Sequence, residues 1–139
     1  MGLFDKLTGK KDIALTPKAA LALAAMPMIS ADGSVEDEEL ATLKRIVRGD
    51  GNAFNQAFLV YKDRPIQECI GLVGAALNPQ QRVAALANLL DIAMADGILA
   101  GAEQELLTAY VERFQVNEEI IKDLVDVIAV KNDFSIFDG

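Results

Sequence analysis

Apolar residues recur along this chain at three- and four-residue spacings, broken by short polar clusters rich in Gly, Pro, Asn and Asp; together these features predict seven helices. The first opens at Thr16-Pro17, where Thr caps and Pro fills a position that needs no N–H, and runs through Leu21, Ala25 and Met28 to about Ser30. Pro27 should kink its last turn, and Asp32-Gly33 stops it, with Gly33 free to take a positive φ. The second starts near Ser34, where a Ser with an acid three residues on resembles a capping box, and carries Leu40, Leu43, Ile46 and Val47. Gly49-Asp50-Gly51 ends it, and Asn52 is expected to cap a short third helix reaching about Tyr61. Asp63-Arg64-Pro65 opens a fourth, through Ile66, Ile70, Val73 and Leu77. Asn78-Pro79-Gln80-Gln81 is the clearest start signal: Asn78 caps, Pro79 leads and Gln81 can close a capping box on a fifth helix that stops at Asp96-Gly97. A sixth begins near Gly101, and Asn117 caps a seventh. Beyond Lys131, the apolar side chains of Phe134, Ile136 and Phe137 are expected to dock on the body.

No stretch alternates with the period of a strand, so the fold class is all-α. The 139 residues make one ordinary domain, large enough to bury a core without disulfides. Residues 1–14 read as a flexible N-terminal tail and 15–139 as a single helical domain. A net charge of −8 repels phosphate backbones, which argues against nucleic acid and suits cations or basic protein surfaces. The lone Cys69 excludes an intrachain disulfide and is expected to be buried and inert. Met1 to Lys11 lacks the apolar segment of a secretory leader, and Ala19 to Ala31 is too short to span a bilayer, so a cytoplasmic, soluble protein is expected. The absence of histidine removes Ser-His and Cys-His catalysis and the usual zinc sites, and no nucleophile-base pair is visible; the chain reads as a binding module, not an enzyme.

An internal repeat organises the rest. Ala31-Asp32-Gly33 recurs as Ala95-Asp96-Gly97, and Glu39 recurs as Glu103, both at an offset of 64 residues. The halves cover about 17–48 and 79–115, separated by connecting helices over about 52–77 and followed by a C-terminal helix over about 117–130. In each half, a glutamate seven residues after the loop aspartate falls in the first or second turn of the next helix. At about 1.5 Å rise per residue, it stays close to the loop. Packing of the halves about a pseudo-two-fold axis would gather Asp32, Glu39, Asp96 and Glu103 into one patch.

The paired pattern Ala31-Asp32-Gly33-Ser34-Val35 with Glu39, and Ala95-Asp96-Gly97-Ile98-Leu99 with Glu103, resembles the TerB family of tellurite-resistance systems, over roughly residues 15–130. A related domain occurs in the membrane-anchored co-chaperone DjlA. The resemblance implies an all-helical fold with internal pseudo-symmetry and an acidic surface site for a divalent metal, built from Asp32, Glu39, Asp96 and Glu103. It also implies a place in stress and tellurite-resistance systems, with protein partners that include a membrane protein.

All-oxygen donors suit a hard cation, Ca²⁺, Mg²⁺ or Mn²⁺, although neither loop has the alternating ligands of an EF-hand. Other readings compete with this one. Acids in a helix's first turn are favoured by the macrodipole alone, and Asp-Gly is an ordinary turn. Lys44, Arg45, Arg82 and Arg113 could neutralise the acids in a salt-bridge network, and the acidic face could serve as a metal-independent, co-chaperone-like interaction surface.

Overall fold

The structure is a computed structural model that describes residues 14–29, 37–94 and 101–138, without the side chains of 37–39 and 102. Among the described residues there are seven α-helices and no strand: α1 (Pro17–Ile29), α2 (Asp37–Ile46), α3 (Gly51–Asp63), α4 (Ile66–Ala76), α5 (Pro79–Met94), α6 (Gly101–Phe114) and α7 (Glu118–Asn132). A single 3-10 turn, Phe134–Phe137, follows.

The core is organised around α1, which is apolar on every side and buries Ala19, Ala20 and everything from Ala22 to Ile29. A helix without a polar face must be surrounded. Helices α2, α3, α4, α5 and α6 all pack on it, while α7 packs on α5. The run of alanines leaves little bulk on α1, so its neighbours approach closely and fill the space with Leu43, Val60, Val73, Leu86, Leu89 and Tyr110. Each fully buried leucine, such as Leu86 or Leu89, contributes about 1.5–3 kcal/mol by leaving water. The connecting pair α3–α4 is no appendage, since both helices cover α1.

The helix starts follow local chemistry. Thr16 Oγ1 accepts from Ala19 N at 3.2 Å at the head of α1. Asn78 Oδ1 accepts from Gln81 N at 2.8 Å while Gln81 Oε1 accepts from Asn78 N at 2.9 Å, the reciprocal capping box expected for α5. Asn117 Oδ1 accepts from Glu119 N at 2.8 Å at the start of α7. The third helix departs from expectation: Asp50, not Asn52, is its cap, accepting from Ala53 N at 3.1 Å, and the helix runs to Asp63. The turn before it explains the shift. Arg48 and Gly49 take positive φ of 56° and 76°, and Gly49 N donates to Lys44 O at 3.1 Å, which reverses the chain within three residues and frees Asp50 to cap.

The expected docking of the C-terminal rings does not occur. Phe134 and Phe137 are 68% and 77% exposed, and Ile136 is exposed too. Asp133 caps the 3-10 turn by accepting from Ser135 N, and this holds the two rings against each other, centroids 6.4 Å apart, on the outside.

Candidate functional site

The cross-bracing of α1 and α6 fixes where the two repeat loops leave the body. Tyr110 on α6 is completely buried, and its hydroxyl donates to the carbonyl of Ala24 on α1 at 3.0 Å. Toward the N-terminus of α6, Glu105 and Leu106 share a groove with Pro27, which lies further toward the C-terminus of α1. The two helices therefore run antiparallel, and the C-terminal end of α1 lies at the same end of the bundle as the N-terminal end of α6. α5 leads into α6 through residues 95–100, and α5 itself packs on α1. Ile29 of α1 and Gly101 of α6, the described residues next to segments 30–36 and 95–100, thus lie toward one end of the bundle.

Asp32 and Asp96 lie outside the described residues, as does Ser34 with its expected capping box. Glu39 is the third residue of α2, and its side chain is not described. Glu103 is the third residue of α6 and half-buried. The two glutamates therefore hold equivalent backbone positions in the helices that follow the loops. Among the described residues, no three Asp, Glu or Cys side chains come together in a way that could hold a metal ion.

Pro27 shapes this end. It has no N–H to give Leu23 O, which removes one rung of α1, and the Tyr110 hydroxyl supplies a donor to the next carbonyl along. Beside it, Pro27, Ile66, Gln67, Ile70, Glu105, Leu106 and Ala109 line a groove of about 330 Å³ between α1, α4 and α6. Its walls are apolar, with one carboxylate and one amide.

Two of the cations expected to neutralise the acids are engaged elsewhere. Arg82, in the first turn of α5, donates to Gly74 O at 2.7 Å and to Phe114 O at 3.5 Å, bridging the carbonyl ends of α4 and α6. Arg113, in the last turn of α6, lies across α4, where a Cβ on Gly71 or Gly74 would sit 3.1 Å from it. Along their helices, Arg82 and Arg113 lie more than two turns from Met94 and Glu103. Arg45 reaches the Thr42 hydroxyl, at 3.5 Å. Among the described residues, two ion pairs are peripheral: Lys131 with Asp91 at 3.1 Å, and Arg64 with Glu68 at 3.8 Å. Cys69 is buried with its Sγ 3.7 Å from Arg64 O, and burial pushes its thiol above the usual range, as expected of an inert cysteine.

Comparison with known proteins supplies the remaining observation. A family model described as "Tellurite resistance protein TerB" matches residues 18–124, most of the chain. The chain belongs to the TerB family. Neither the curated proteins nor the solved structures yield a match. The TerB match begins in α1 and ends in α7, so it contains both repeat loops and the connecting pair. Among the described residues of this TerB domain, no helix is long and apolar enough to cross a membrane.

The sequence reading does not find the hydroxyl of Tyr110 at work. It reads Arg82 as a counter-charge for the acids. In both cases the partner is a backbone carbonyl far away in sequence, which side-chain spacing does not register. A hint for Tyr110 was available: a phenol on a core stripe needs an acceptor, and Pro27 disrupts carbonyl pairing nearby.

Proposed function

We propose that this TerB domain is a tellurite-resistance or stress-response module that binds a divalent cation through Asp32, Glu39, Asp96 and Glu103 and docks partner proteins, without catalytic activity of its own. The observation that carries the reading is the common end from which both Asp-Gly segments arise, on helices braced by Tyr110 and Ala24. Loops that start from one end of the bundle would let their carboxylates share one ion. Four clustered carboxylates repel each other, and a cation with oxygen preference relieves that repulsion. Binding to the folded chain alone would raise its stability by mass action.

Calorimetric titration of chelator-treated protein with Ca²⁺, Mg²⁺ and Mn²⁺ tests this. We expect heat with at least one ion and a rise in Tm, both lost in Asp32→Asn/Asp96→Asn. No heat and an unchanged Tm with all three ions would remove the metal from the proposal.

The groove beside Pro27 favours a second reading, metal-independent docking of a basic, apolar segment against Glu105 and the Ile66–Ile70 wall. Partner capture from the native host that ignores chelator but is lost on Glu105→Lys would support it over the first.

A further inference from the structure

The net charge of −8 does not describe the molecule evenly. Nine of the thirteen Lys and Arg lie in residues 1–64; the excess of acids comes after them. α2 buries Leu43, Val47 follows it into the core, and α3 buries Ala53, Ala57 and Val60. Both helices pack on α1 and on each other, so their remaining faces form one outward surface. α2 and the turn after it carry Lys44, Arg45 and Arg48, and α3 carries Lys62 with Phe58 and Leu59; all are exposed, the two apolar side chains by 48% and 65%. Among the described residues none of these four cations is paired with a carboxylate. After Asp37, Glu38 and Glu39, which open α2, the acids up to residue 64 are Asp50, whose carboxylate caps α3, and Asp63. Phe58 stacks on Phe54, ring centroids 6.4 Å apart, which fixes its ring at the surface.

The N-terminal part of the chain joins the body at the same helix. Gln56 of α3 donates to Ala14 O at 3.2 Å and accepts from Thr16 N at 3.4 Å, one turn from Leu59. The sequence ahead of Ala14 has the same character, Lys6, Lys10 and Lys11 among Leu3, Phe4 and Leu7.

We propose that the outward face of α2 and α3 docks on an anionic lipid surface. The charge complementarity is direct: exposed cations meet lipid phosphates, while Phe58 and Leu59 enter the boundary between headgroups and acyl chains. Nucleic acid would also meet the cations but would leave Leu59 in water. This inference is independent of the cation reading, because Lys44, Arg45, Arg48, Lys62, Phe58 and Leu59 are none of the four proposed ligands and the face need not hold an ion to dock.

Co-sedimentation of the full chain with vesicles of phosphatidylcholine, with and without phosphatidylglycerol, tests it. We expect binding only to the vesicles that contain phosphatidylglycerol, weakened by added salt. Arg45→Glu/Arg48→Gly and Phe58→Ser/Leu59→Ser should each weaken it by about tenfold or more, whereas Lys122→Glu on α7 should not. Glycine accepts the positive φ of Arg48, and the other positions are exposed, so these variants should fold, as circular dichroism melting would verify. The proposal is overturned by no vesicle binding, by equal binding to neutral vesicles, or by binding that survives both face variants and is lost only on deleting residues 2–11. Capture of a single-stranded oligonucleotide in place of vesicles, abolished by Arg45→Glu/Arg48→Gly, would overturn it as well.

Discussion

Asn78 and Gln81 satisfy each other's backbone donors without help from the rest of the fold. Asn78→Ala should therefore lower the unfolding free energy by about 1 kcal/mol, read as a shift of the urea midpoint at constant slope. Tyr110 works differently, because its hydroxyl acts at long range. Tyr110→Phe keeps the ring in the core and removes only the donor to Ala24 O, at a cost of about 1 kcal/mol by the same measurement. The contrast marks what could be read from sequence at this scale. Capping chemistry spans four residues and is legible at Asn78 and Asn117. At α3 it is ambiguous because Asp50 and Asn52, two positions apart, are equally good caps, and the Arg48-Gly49 turn, visible only in three dimensions, decides between them.

At the scale of elements, α4 meets α6 where Arg113 crosses the two glycines of α4. The two positions should respond differently to alanine. Gly71 faces the far end of Arg113, a flexible guanidinium that can swing aside, so Gly71→Ala should gain up to about 0.5–1 kcal/mol from helix propensity. Gly74 is buried against Cγ of Arg113, close to its root, and that atom has little freedom. There the same substitution should gain nothing or destabilise. Paired thermal melts of the two variants check the difference. Helix existence was legible throughout from apolar spacing and punctuation. The position of α1 at the centre was legible only in its composition, since a helix apolar on all sides has to be enclosed. The C-terminal rings were misjudged because an apolar turn reads the same whether it is docked or held outward by its own Asp133 cap.

For the molecule as a whole, the titrations of its core have a definite sign. Burial raises the thiol of Cys69 and the phenol of Tyr110 above their ordinary values. Both stay protonated in the fold at a pH where the unfolded chain has begun to lose those protons. Their contribution is complete below about pH 8.5 and is lost progressively as pH climbs through the ordinary thiol and phenol values and beyond. Unfolding free energy should accordingly fall on the alkaline side, and Tyr110→Phe should flatten that fall in urea titrations run from neutral pH upward. The candidate site is a property of the same scale. Its four acids were legible as a repeat, whereas the antiparallel course of α1 and α6 is encoded by no local pattern.

The Tyr110 phenol also makes the molecule its own optical gauge. The chain has two tyrosines and no tryptophan, so its near-ultraviolet absorption and emission come almost entirely from Tyr61 and Tyr110. In a Tyr61→Phe background a single chromophore remains, clamped between the last turns of α1 and the body of α6 and tilted against Phe114, ring centroids 5.6 Å apart. Any event at the loops that slides one helix along the other alters how firmly the carbonyl holds the phenol. Tyrosine emission then reports it with no dye attached.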